Sequence, residues 1–356
     1  MRQLAGLLCC AVLSFPANAD RERAREHSDC DGDRDDSHGE RYWRCLAKKL
    51  QGELALSSAA LNACNTNLAS CNATSLSCAA SLSTCNGDLQ SCEAALSAPL
   101  LHFGVTGDTR PTSLDDFAGY PAAIINSIAD HFQASAAQFV VDTGNHSFAN
   151  TAASANQQMA LYLGATKRFS NRWYLAEGDH DCLNSSTLLC LPGSQAPSFL
   201  AFLQALNPVS SMPYYTFDVP TPHGQATFVV IAGNSWDATQ AAWLEQTLSA
   251  ADLKAKYTIV ISNHPLDSTF PNGAAITAIV RGHKFALVMS DHLATYLHPA
   301  ADSGRGFILG LGGAPLSSSG VLYGYGIIDQ LPSGLLQVSV FDLNGAAQDL
   351  WTTGPN

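Results

Sequence analysis

Five short polar motifs between residues 107 and 294 carry the side chains best suited to chemistry. They combine carboxylate, imidazole and carboxamide groups, which bind divalent cations or move protons. The motifs are Gly107-Asp108-Thr109-Arg110, Gly144-Asn145-His146-Ser147-Phe148, Gly178-Asp179-His180-Asp181, Ser262-Asn263-His264-Pro265 and Asp291-His292-Leu293-Ala294. If the fold brings the motifs together, they predict one polar site at the ends of several strands.

Short apolar runs precede these motifs, and they predict the elements that position them. Strands are predicted at residues 103–106, 139–141, 173–175, 228–231, 258–261 and 286–289. Segments such as 122–133 and 238–248 have helical spacing. This alternation predicts an α/β fold in which helices cover central sheets. The polar motifs then lie in loops at strand ends, where such sheets usually build their sites.

The order and spacing of the motifs resemble those of the calcineurin-like metallophosphoesterases, including the purple-acid-phosphatase type. Pro213-Tyr214-Tyr215, the helix around Trp243 and Gly312-Gly313-Ala314-Pro315 provide matching context. The resemblance covers about residues 101–350. It implies a two-sheet sandwich flanked by helices, in which two metal ions activate a water for attack on a phosphoester.

The resemblance also implies roles for single residues. The implied metal ligands are Asp108, Asn145, Asp179, Asn263 and His292. His180 is the implied imidazole that stabilises the transition state, Asp181 is the acid that orients it, and Arg110 is a further catalytic residue.

Several positions depart from the family pattern. Asn145 replaces the aspartate that bridges the two ions, Asn263 and Ala294 replace histidines, Asp179 replaces an asparagine and Phe148 replaces a tyrosine. Without the bridging carboxylate, two nearby divalent cations repel each other. We therefore expect at most one divalent cation, Mg²⁺, Ca²⁺, Mn²⁺ or Zn²⁺, with Asp108, Asp179 and His292 as its strongest ligands. If loops shift, the substitute ligands are His146, His264 and Asp291.

Two cysteines, Cys182 and Cys190, flank a short loop just after the third motif. In an exported chain they predict a disulfide, and the alternative is free or metal-bound thiols. The remaining histidines have no motif context and are interpreted as surface or packing residues; they are His102, His131, His223, His283 and His298.

The first nineteen residues have the pattern of a signal peptide. A basic Arg2 and a short apolar run end in Ala17-Asn18-Ala19, and no later run is long enough to span a membrane. We expect a secreted protein in an extracellular or periplasmic compartment. After cleavage, 17 basic and 30 acidic residues leave a net charge of −13, which makes nucleic acid and anionic lipid poor partners.

Residues 20–46 form a charged segment that we interpret as a solvated acidic arm. Within it, Asp29, Asp31, Asp33, Asp35 and Glu40 match positions of a calcium-binding loop, although Arg34 occupies the place of the usual glycine. The alternatives are a calcium loop and an acidic run that binds nothing. Cys30 and Cys45 are candidates for a local disulfide.

Residues 47–98 carry a seven-residue repeat. Its first apolar position holds mainly leucines and its second holds Cys64, Cys71, Cys78, Cys85 and Cys92. This repeat predicts a coiled coil that self-associates. Cysteines seven residues apart on one helix are separated by about 10 Å, beyond the reach of a disulfide, so their partners must lie on another helix. A disordered linker is the alternative.

Two functions remain open for the domain at residues 99–356. One is a phosphoester hydrolase with weak or absent activity at an eroded metal site. The other is a pseudoenzyme, in which the fold is a rigid head on a disulfide-linked oligomeric stalk and serves binding or surface structure.

Overall fold

The computed structural model describes residues 39–71, 98–183, 189–190, 194–266, 270, 272–298, 304–317 and 321–356. The chain divides into two units, Met1–Ser97 and Ala98–Asn356. The signal peptide, nearly all of the acidic arm and its calcium loop, and the last three cysteines of the repeat lie outside the described residues. The same holds for the side chains of Glu40, Cys45, Cys64 and Cys71.

The described part of the first unit is one long helix, α1, at Gly39–Cys71. It begins inside the segment that we assigned to the acidic arm and runs into the heptad region. Leu50, Leu54 and Leu61, which occupy heptad core positions, are 57%, 71% and 46% exposed. Among the described helices, none combines the length and the apolar character needed to cross a bilayer.

The second unit contains a first sheet of six strands in the order β12-β11-β10-β1-β2-β3. β1 pairs in parallel with β2, and β2 with β3, whereas β10, β11 and β12 are antiparallel additions. The strand bounds are His102–Thr106 for β1, Phe139–Asp142 for β2, Arg172–Leu175 for β3, Gly324–Gln330 for β10, Leu336–Asp342 for β11 and Ala347–Thr353 for β12.

The second sheet also has six strands, in the order β4-β5-β6-β7-β9-β8. Its centre from β5 to β9 is parallel, and β4 and β8 are antiparallel edges. The strand bounds are Tyr215–Thr221 for β4, Gly224–Ile231 for β5, Tyr257–Ser262 for β6, Leu287–Ser290 for β7, Tyr296–Leu297 for β8 and Gly306–Leu309 for β9.

Aromatic side chains fill the space between the two sheets. Phe103 of the first sheet packs edge-on against Phe228 of the second at 5.2 Å between ring centroids, and Phe139 packs against Phe228 at 5.3 Å. Since these residues alternate along their strands with residues that face outward, the pleat itself directs them inward. The result is a sandwich with one apolar layer between the sheets.

Helices cover the outer faces of the sandwich. Helix α2, Ala122–Ser135, packs Ile128 and Phe132 against β2 and β10. Helices α5, Ala238–Lys254, and α6, Gly273–Arg281, pack Leu244, Leu248 and Ile276 against β5, β6 and β7. The remaining helices are α3, Ala152–Thr166, and α4, Pro197–Leu206. The predicted two-sheet sandwich with flanking helices is therefore confirmed.

Candidate metal site

The five polar motifs converge because each follows a strand. Asp108, Asn145 and Asp179 lie in the loops after β1, β2 and β3, and Asn263 and Asp291 come directly after β6 and β7. All five residues are buried. The carboxyl ends of parallel strands meet at one edge of each sheet, which is why residues so far apart in sequence form one site.

Asp108 has both of its carboxylate oxygens occupied by donors from the protein. Asn145 Nδ2 donates to Oδ1 at 2.9 Å, and the backbone N–H of Ala294 donates to Oδ2 at 2.9 Å. Arg110 Nε lies 4.0 Å from Oδ1. Burial raises the pKa of the Asp108 carboxyl, and the Arg110 charge and the Asn145 hydrogen bond oppose that rise. Amide donors thus stand where a cation would contact this carboxylate.

The carboxamide of Asn145 is fixed in orientation by its two neighbours. Its Nδ2 donates to Asp108, while its Oδ1 accepts a hydrogen bond from the backbone N–H of His180 at 2.9 Å. A carboxylate could accept the second bond but could not donate the first. Asparagine is therefore the side chain that satisfies both contacts without a metal ion.

A second amide–carboxylate pair lies beside the first. Asn263 Nδ2 donates to Asp291 Oδ1, and Asp291 Oδ2 accepts from the backbone N–H of Asp108 at 3.0 Å. Asn263 Oδ1 accepts from the backbone N–H of Asp179 at 3.2 Å. Burial, followed by the charge of Asp108, raises the pKa of Asp291 well above its ordinary value. Asn263 and Asp291 therefore bind each other and the surrounding loops.

The site also concentrates left-handed backbone conformations. Asp108, Asn145 and His292 have φ values of 58°, 62° and 65°. Residues other than glycine adopt this region at a cost, and it clusters at functional loops. The surrounding hydrogen bonds hold these three residues in conformations that point their side chains into the site.

A different group of three residues has the arrangement of a cation site. Asp179, His264 and His292 each offer one ligand atom, and these atoms lie within 4.8 Å of one another. Asp179 Oδ1 and His292 Nδ1 are 3.5 Å apart, at the outer limit of hydrogen bonding, and neither atom has another hydrogen-bond partner among the described residues. The rings of His264 and His292 are 4.0 Å apart between centroids.

Charges within this group stabilise each other. Burial, the largest influence on Asp179, would raise its pKa, but the hydrogen bond to His292 and the neighbouring imidazoles lower the pKa overall. Burial alone would lower the pKa of His292, but the hydrogen bond and charge of Asp179 raise it overall. An anionic carboxylate that faces imidazoles is a donor set for one divalent cation.

His180 and Arg110 flank the site on its more open side. The His180 ring packs edge-on against Phe148 at 4.6 Å, and the Arg110 guanidinium lies 5.4 Å from the centre of the same ring. Burial is the main cause that lowers the pKa of His180 to about 4, so its imidazole is neutral near pH 7. Arg110 thus provides a positive charge beside the neutral imidazole of His180, which can donate or accept a proton.

The hydrogen bonds of Asp181, the expected orienting acid of His180, go mainly to the loop after β2. The Asp181 carboxylate accepts hydrogen bonds from four backbone N–H groups, those of Asn145, His146, Ser147 and Gly178. It also contacts His146 Nδ1 at 2.9 Å. The turn from Gly178 directs this side chain beneath the loop after β2, where those donors saturate it. Asp181 therefore holds the loop that carries Asn145.

His146, named above as a substitute ligand, is fully buried beneath the site. Its Nε2 lies 3.3 Å from Asp142 Oδ1, and the Tyr162 hydroxyl donates to Asp142 Oδ2 at 2.8 Å. Although burial opposes it, the charges of Asp181 and Asp142 raise the pKa of His146 to about 10. The sequence analysis did not identify Asp142. The only sign of its role in the sequence is that a carboxylate ends an otherwise apolar strand.

The predicted disulfide between Cys182 and Cys190 is present, with 5.1 Å between the Cα atoms. Glu177 and Ser235 lie against it, and all four side chains are buried. Burial raises the pKa of Glu177 to about 8. Sequence reasoning also missed Glu177 and Ser235, because neither belongs to one of the five motifs.

A pair of metal ions does not fit the residues present. At the position that the resemblance assigns to the first ion, Asn145 and the Ala294 N–H direct hydrogens at both Asp108 oxygens. Asp179, His264 and His292 offer a donor set that could hold a single ion, and among the described residues Asp179 Oδ1 and His292 Nδ1 have no other hydrogen-bond partner.

The sequence matches no protein-family model and no curated protein sequence. Solved structures are more informative. A dimetal phosphatase from Danio rerio matches with a TM-score of 0.51 at 14% identity, over 72% of this chain and 100% of that one. Purple acid phosphatase PPD1 from yellow lupin (Lupinus luteus) matches with a TM-score of 0.55 at 13% identity, over 72% of this chain and 54% of that one.

A third match is GAP50, the anchor in the inner membrane complex of Plasmodium, with a TM-score of 0.54 at 13% identity, over 72% of this chain and 90% of that one. Identities this low establish a shared fold and leave the activity to the site residues. The chain has the calcineurin-like metallophosphoesterase fold.

Proposed function

We propose that this protein binds one divalent cation at Asp179, His264 and His292 and hydrolyses phosphoesters weakly or not at all. The hydrogen bond from Asn145 Nδ2 to Asp108 Oδ1 is the observation that supports this most directly. This bond occupies the Asp108 oxygen that would otherwise bind the first metal ion. Without the first ion, two metal ions cannot activate a water molecule for attack on the phosphoester.

The proposed ion is Mn²⁺ or Zn²⁺ rather than Mg²⁺ or Ca²⁺. Two imidazoles and one carboxylate form the donor set, and imidazole suits transition metals and zinc, whereas Mg²⁺ and Ca²⁺ prefer oxygen ligands. Asp108, Asn145 and Asn263, which the sequence analysis also placed among the ligands, are proposed instead to hold the loops around the ion. A bound ion would act as a Lewis acid toward an oxygen ligand.

Residual activity toward phosphoesters would depend on His180 and Arg110. The neutral imidazole of His180 can exchange a proton at its Nδ1, which has no hydrogen-bond partner among the described residues. Arg110 is permanently charged and lies at the site, so it is suited to an anionic group. These two residues are the proposed contacts for a phosphoester substrate.

The second candidate function is a secreted pseudoenzyme carried on a self-associating stalk. The observation that favours it is the exposure of Leu50, Leu54 and Leu61 along α1, since apolar residues at heptad core positions need a partner helix. The fold itself does not decide between the candidates, because it occurs both in a dimetal phosphatase and in a protein described as an anchor.

Hydrolysis of p-nitrophenyl phosphate and of its bis-ester with Mn²⁺ or Zn²⁺ tests the proposal. The native protein should turn over both compounds barely above buffer. A fourfold variant, Asn145→Asp, Asp179→Asn, Asn263→His and Ala294→His, should gain at least about tenfold, the scale of a restored catalytic metal interaction. Each single change should do little, because residues that act as one metal unit are not additive.

Brisk hydrolysis by the native protein, abolished by Asp179→Ala or His292→Ala, would contradict the proposal and identify an active hydrolase. A folded fourfold variant that binds two ions and stays inert would show that the substrate pocket has been lost together with the ligands. In that case the pseudoenzyme function would stand alone.

A further inference from the structure

A second cluster of metal-ligating side chains lies next to the metal site and shares no residue with it. Glu177, Cys182 and Cys190 each offer one ligand atom, and these atoms lie within 4.8 Å of one another. All three side chains are fully buried. The two sulfurs are joined in the disulfide described above, so the cluster contains one carboxylate and two sulfurs that become thiols only on reduction.

Glu177 is the unusual member of this cluster. Its Oε1 accepts a hydrogen bond from the Ser235 hydroxyl and lies 2.9 Å from Cys182 Sγ. Its Oε2 is buried and has no hydrogen-bond partner among the described residues. A buried carboxylate oxygen without a donor is costly, and a cation or a proton is what relieves that cost.

Backbone hydrogen bonds hold the two cysteines in place independently of the bond between their sulfurs. The N–H of Cys182 donates to the Asp179 carbonyl at 3.1 Å, and the N–H of Cys190 donates to the Asn234 carbonyl at 2.9 Å. These contacts fix the backbone at both cysteines. We therefore expect both sulfurs to stay within reach of Glu177 when the disulfide is opened.

We propose that reduction of the Cys182–Cys190 disulfide creates a cation site, in which the two cysteine sulfurs and the Glu177 carboxylate bind a soft divalent ion such as Zn²⁺. A dithiol breaks the bond between the sulfurs and is itself oxidised to a cyclic disulfide, so two electrons and two protons pass to the two cysteines. When the ion binds, both thiols release their protons to solvent and coordinate as thiolates.

The chemistry of the cluster favours zinc over a hard cation. Two thiolates and one carboxylate are a zinc donor set, and a water completes the four ligands that zinc usually takes. Mg²⁺ and Ca²⁺ prefer oxygen ligands and would find one such side chain here. This site goes beyond the function proposed above, because it depends on the redox state of two cysteines rather than on Asp179, His264 or His292.

Cobalt(II) is the probe that tests the site, because its complexes with thiolates absorb in the near ultraviolet and its complexes with imidazole and carboxylate lack that band. Thiolates elsewhere in the reduced chain would give the same band, so the full chain carries serine in place of Cys30, Cys45, Cys64, Cys71, Cys78, Cys85 and Cys92. It is reduced with a dithiol under anaerobic conditions, freed of reductant and titrated with Co²⁺. We expect a thiolate band that saturates and disappears in the double variant Cys182→Ser/Cys190→Ser. The oxidised protein should not develop it.

Three further variants make the outcome decisive. Glu177→Gln keeps the shape of the side chain and should weaken Co²⁺ binding by at least about tenfold, the scale of a lost metal contact. Asp179→Ala should leave the band intact, which separates this site from the first. The matched control is the chain that keeps all nine mature cysteines, in which Cys182→Ser/Cys190→Ser should lower the band by the same amount.

Circular dichroism of each variant shows whether the chain is folded. A band that persists in the double serine variant would show that it does not come from these two sulfurs and would overturn the proposal. The absence of a band in the reduced, folded native protein would overturn it as well, and an unchanged affinity in Glu177→Gln would remove the carboxylate from the site.

Discussion

At the scale of single residues, we propose that carboxamides take over the contacts that cations make in a paired metal site. Asn145 and Asn263 each direct an N–H group at a buried carboxylate, and each carboxamide oxygen accepts from a backbone N–H. Burial raises the pKa of both Asp108 and Asp291, and the Asn145 hydrogen bond opposes that rise at Asp108.

Asn145→Asp tests this exchange directly. Without added metal, the new carboxylate loses the bond to Asp108 and brings a like charge beside it, so the free energy of unfolding should fall by about 1–3 kcal/mol. Saturating Mn²⁺ should restore part of that loss in the variant. Urea unfolding with and without Mn²⁺ measures both effects.

The matched control for this variant is Asn156→Asp, which makes the same change at an exposed position of α3. It should alter neither the stability nor its dependence on Mn²⁺. If Asn145→Asp is as stable as the native protein in the absence of metal, the amide contact is not what closes this part of the site.

Asp181→Asn tests the role of the buried carboxylate beneath the site. The change leaves the His146 imidazolium with one carboxylate partner and weakens the anchoring of the loop after β2. Breaking one partner of a buried charged pair costs about 3–5 kcal/mol, so chemical unfolding should show a loss of that size. Asp130→Asn, which breaks the exposed pair between Asp130 and Arg168, should change the stability little. Equal losses in the two variants would contradict the assigned role.

At the scale of elements, the sequence was informative where strands are apolar and each ends at a polar motif. The six predicted strands are all present, within a few residues of their bounds, because continuous apolar runs predict buried strands. The antiparallel strands β10, β11 and β12 were not predicted. The residues of β11 and β12 mix polar and apolar types, so no local pattern marks them as strands. β8 has only two residues, which is too short for any pattern. The pairing of these strands depends on tertiary contacts.

For the site, the sequence predicted which loops meet but not which side chains bond. The motif order was enough to bring Asp179 and His292 together, whereas the pairing of Asn145 with Asp108 and of Asp181 with His146 depends on turn geometry. Side chains of adjacent residues in a left-handed turn point in different directions, and spacing alone does not specify them.

His102 joins three elements and gives the fold a pH dependence. Its Nδ1 contacts Asp329 Oδ1 of β10 at 2.6 Å, and its Nε2 contacts the Ser135 carbonyl at the end of α2 at 2.9 Å. The hydrogen bond to Asp329 is the main cause that raises the pKa of His102. A raised pKa in the folded state stabilises the protein below the unfolded pKa of about 6.5, and this contribution is lost as the pH rises through the folded value.

Urea unfolding of the native protein and of His102→Gln between pH 5.5 and 8.5 checks this dependence. The difference in the free energy of unfolding should shrink as the pH rises, by up to about 1 kcal/mol for this partly exposed pair. Asp329→Asn should show the same trend, since it removes the other partner. A difference that grows with pH would mean that His102 is neutral in the folded protein.

At the scale of the whole molecule, the two units have separate tasks in this account. The head contains the candidate metal site, and the helix of the first unit exposes leucines at heptad core positions. The repeat predicts that in-register helices place each cysteine opposite itself in a neighbouring chain. Such pairing would link neighbouring chains covalently.

Electrophoresis with and without reductant tests that assembly. The purified protein should migrate as a dimer or larger species without reductant and as a monomer with it. Replacement of the five heptad cysteines by serine should abolish the reductant-sensitive species, whereas Cys182→Ser/Cys190→Ser should leave it unchanged. A monomer under both conditions, with the heptad cysteines intact, would contradict the stalk.

The number of divalent ions held by the head is the measurement that tests the central claim most directly. The oxidised full chain is stripped with a chelator, dialysed against Mn²⁺ and assayed for metal per chain, beside Asp179→Ala and His292→Ala. We predict about one ion per chain in the native protein and its loss in both variants. Two ions per chain in the native protein, both lost in Asp179→Ala, would show that Asn145 and its neighbours do not prevent a paired metal centre.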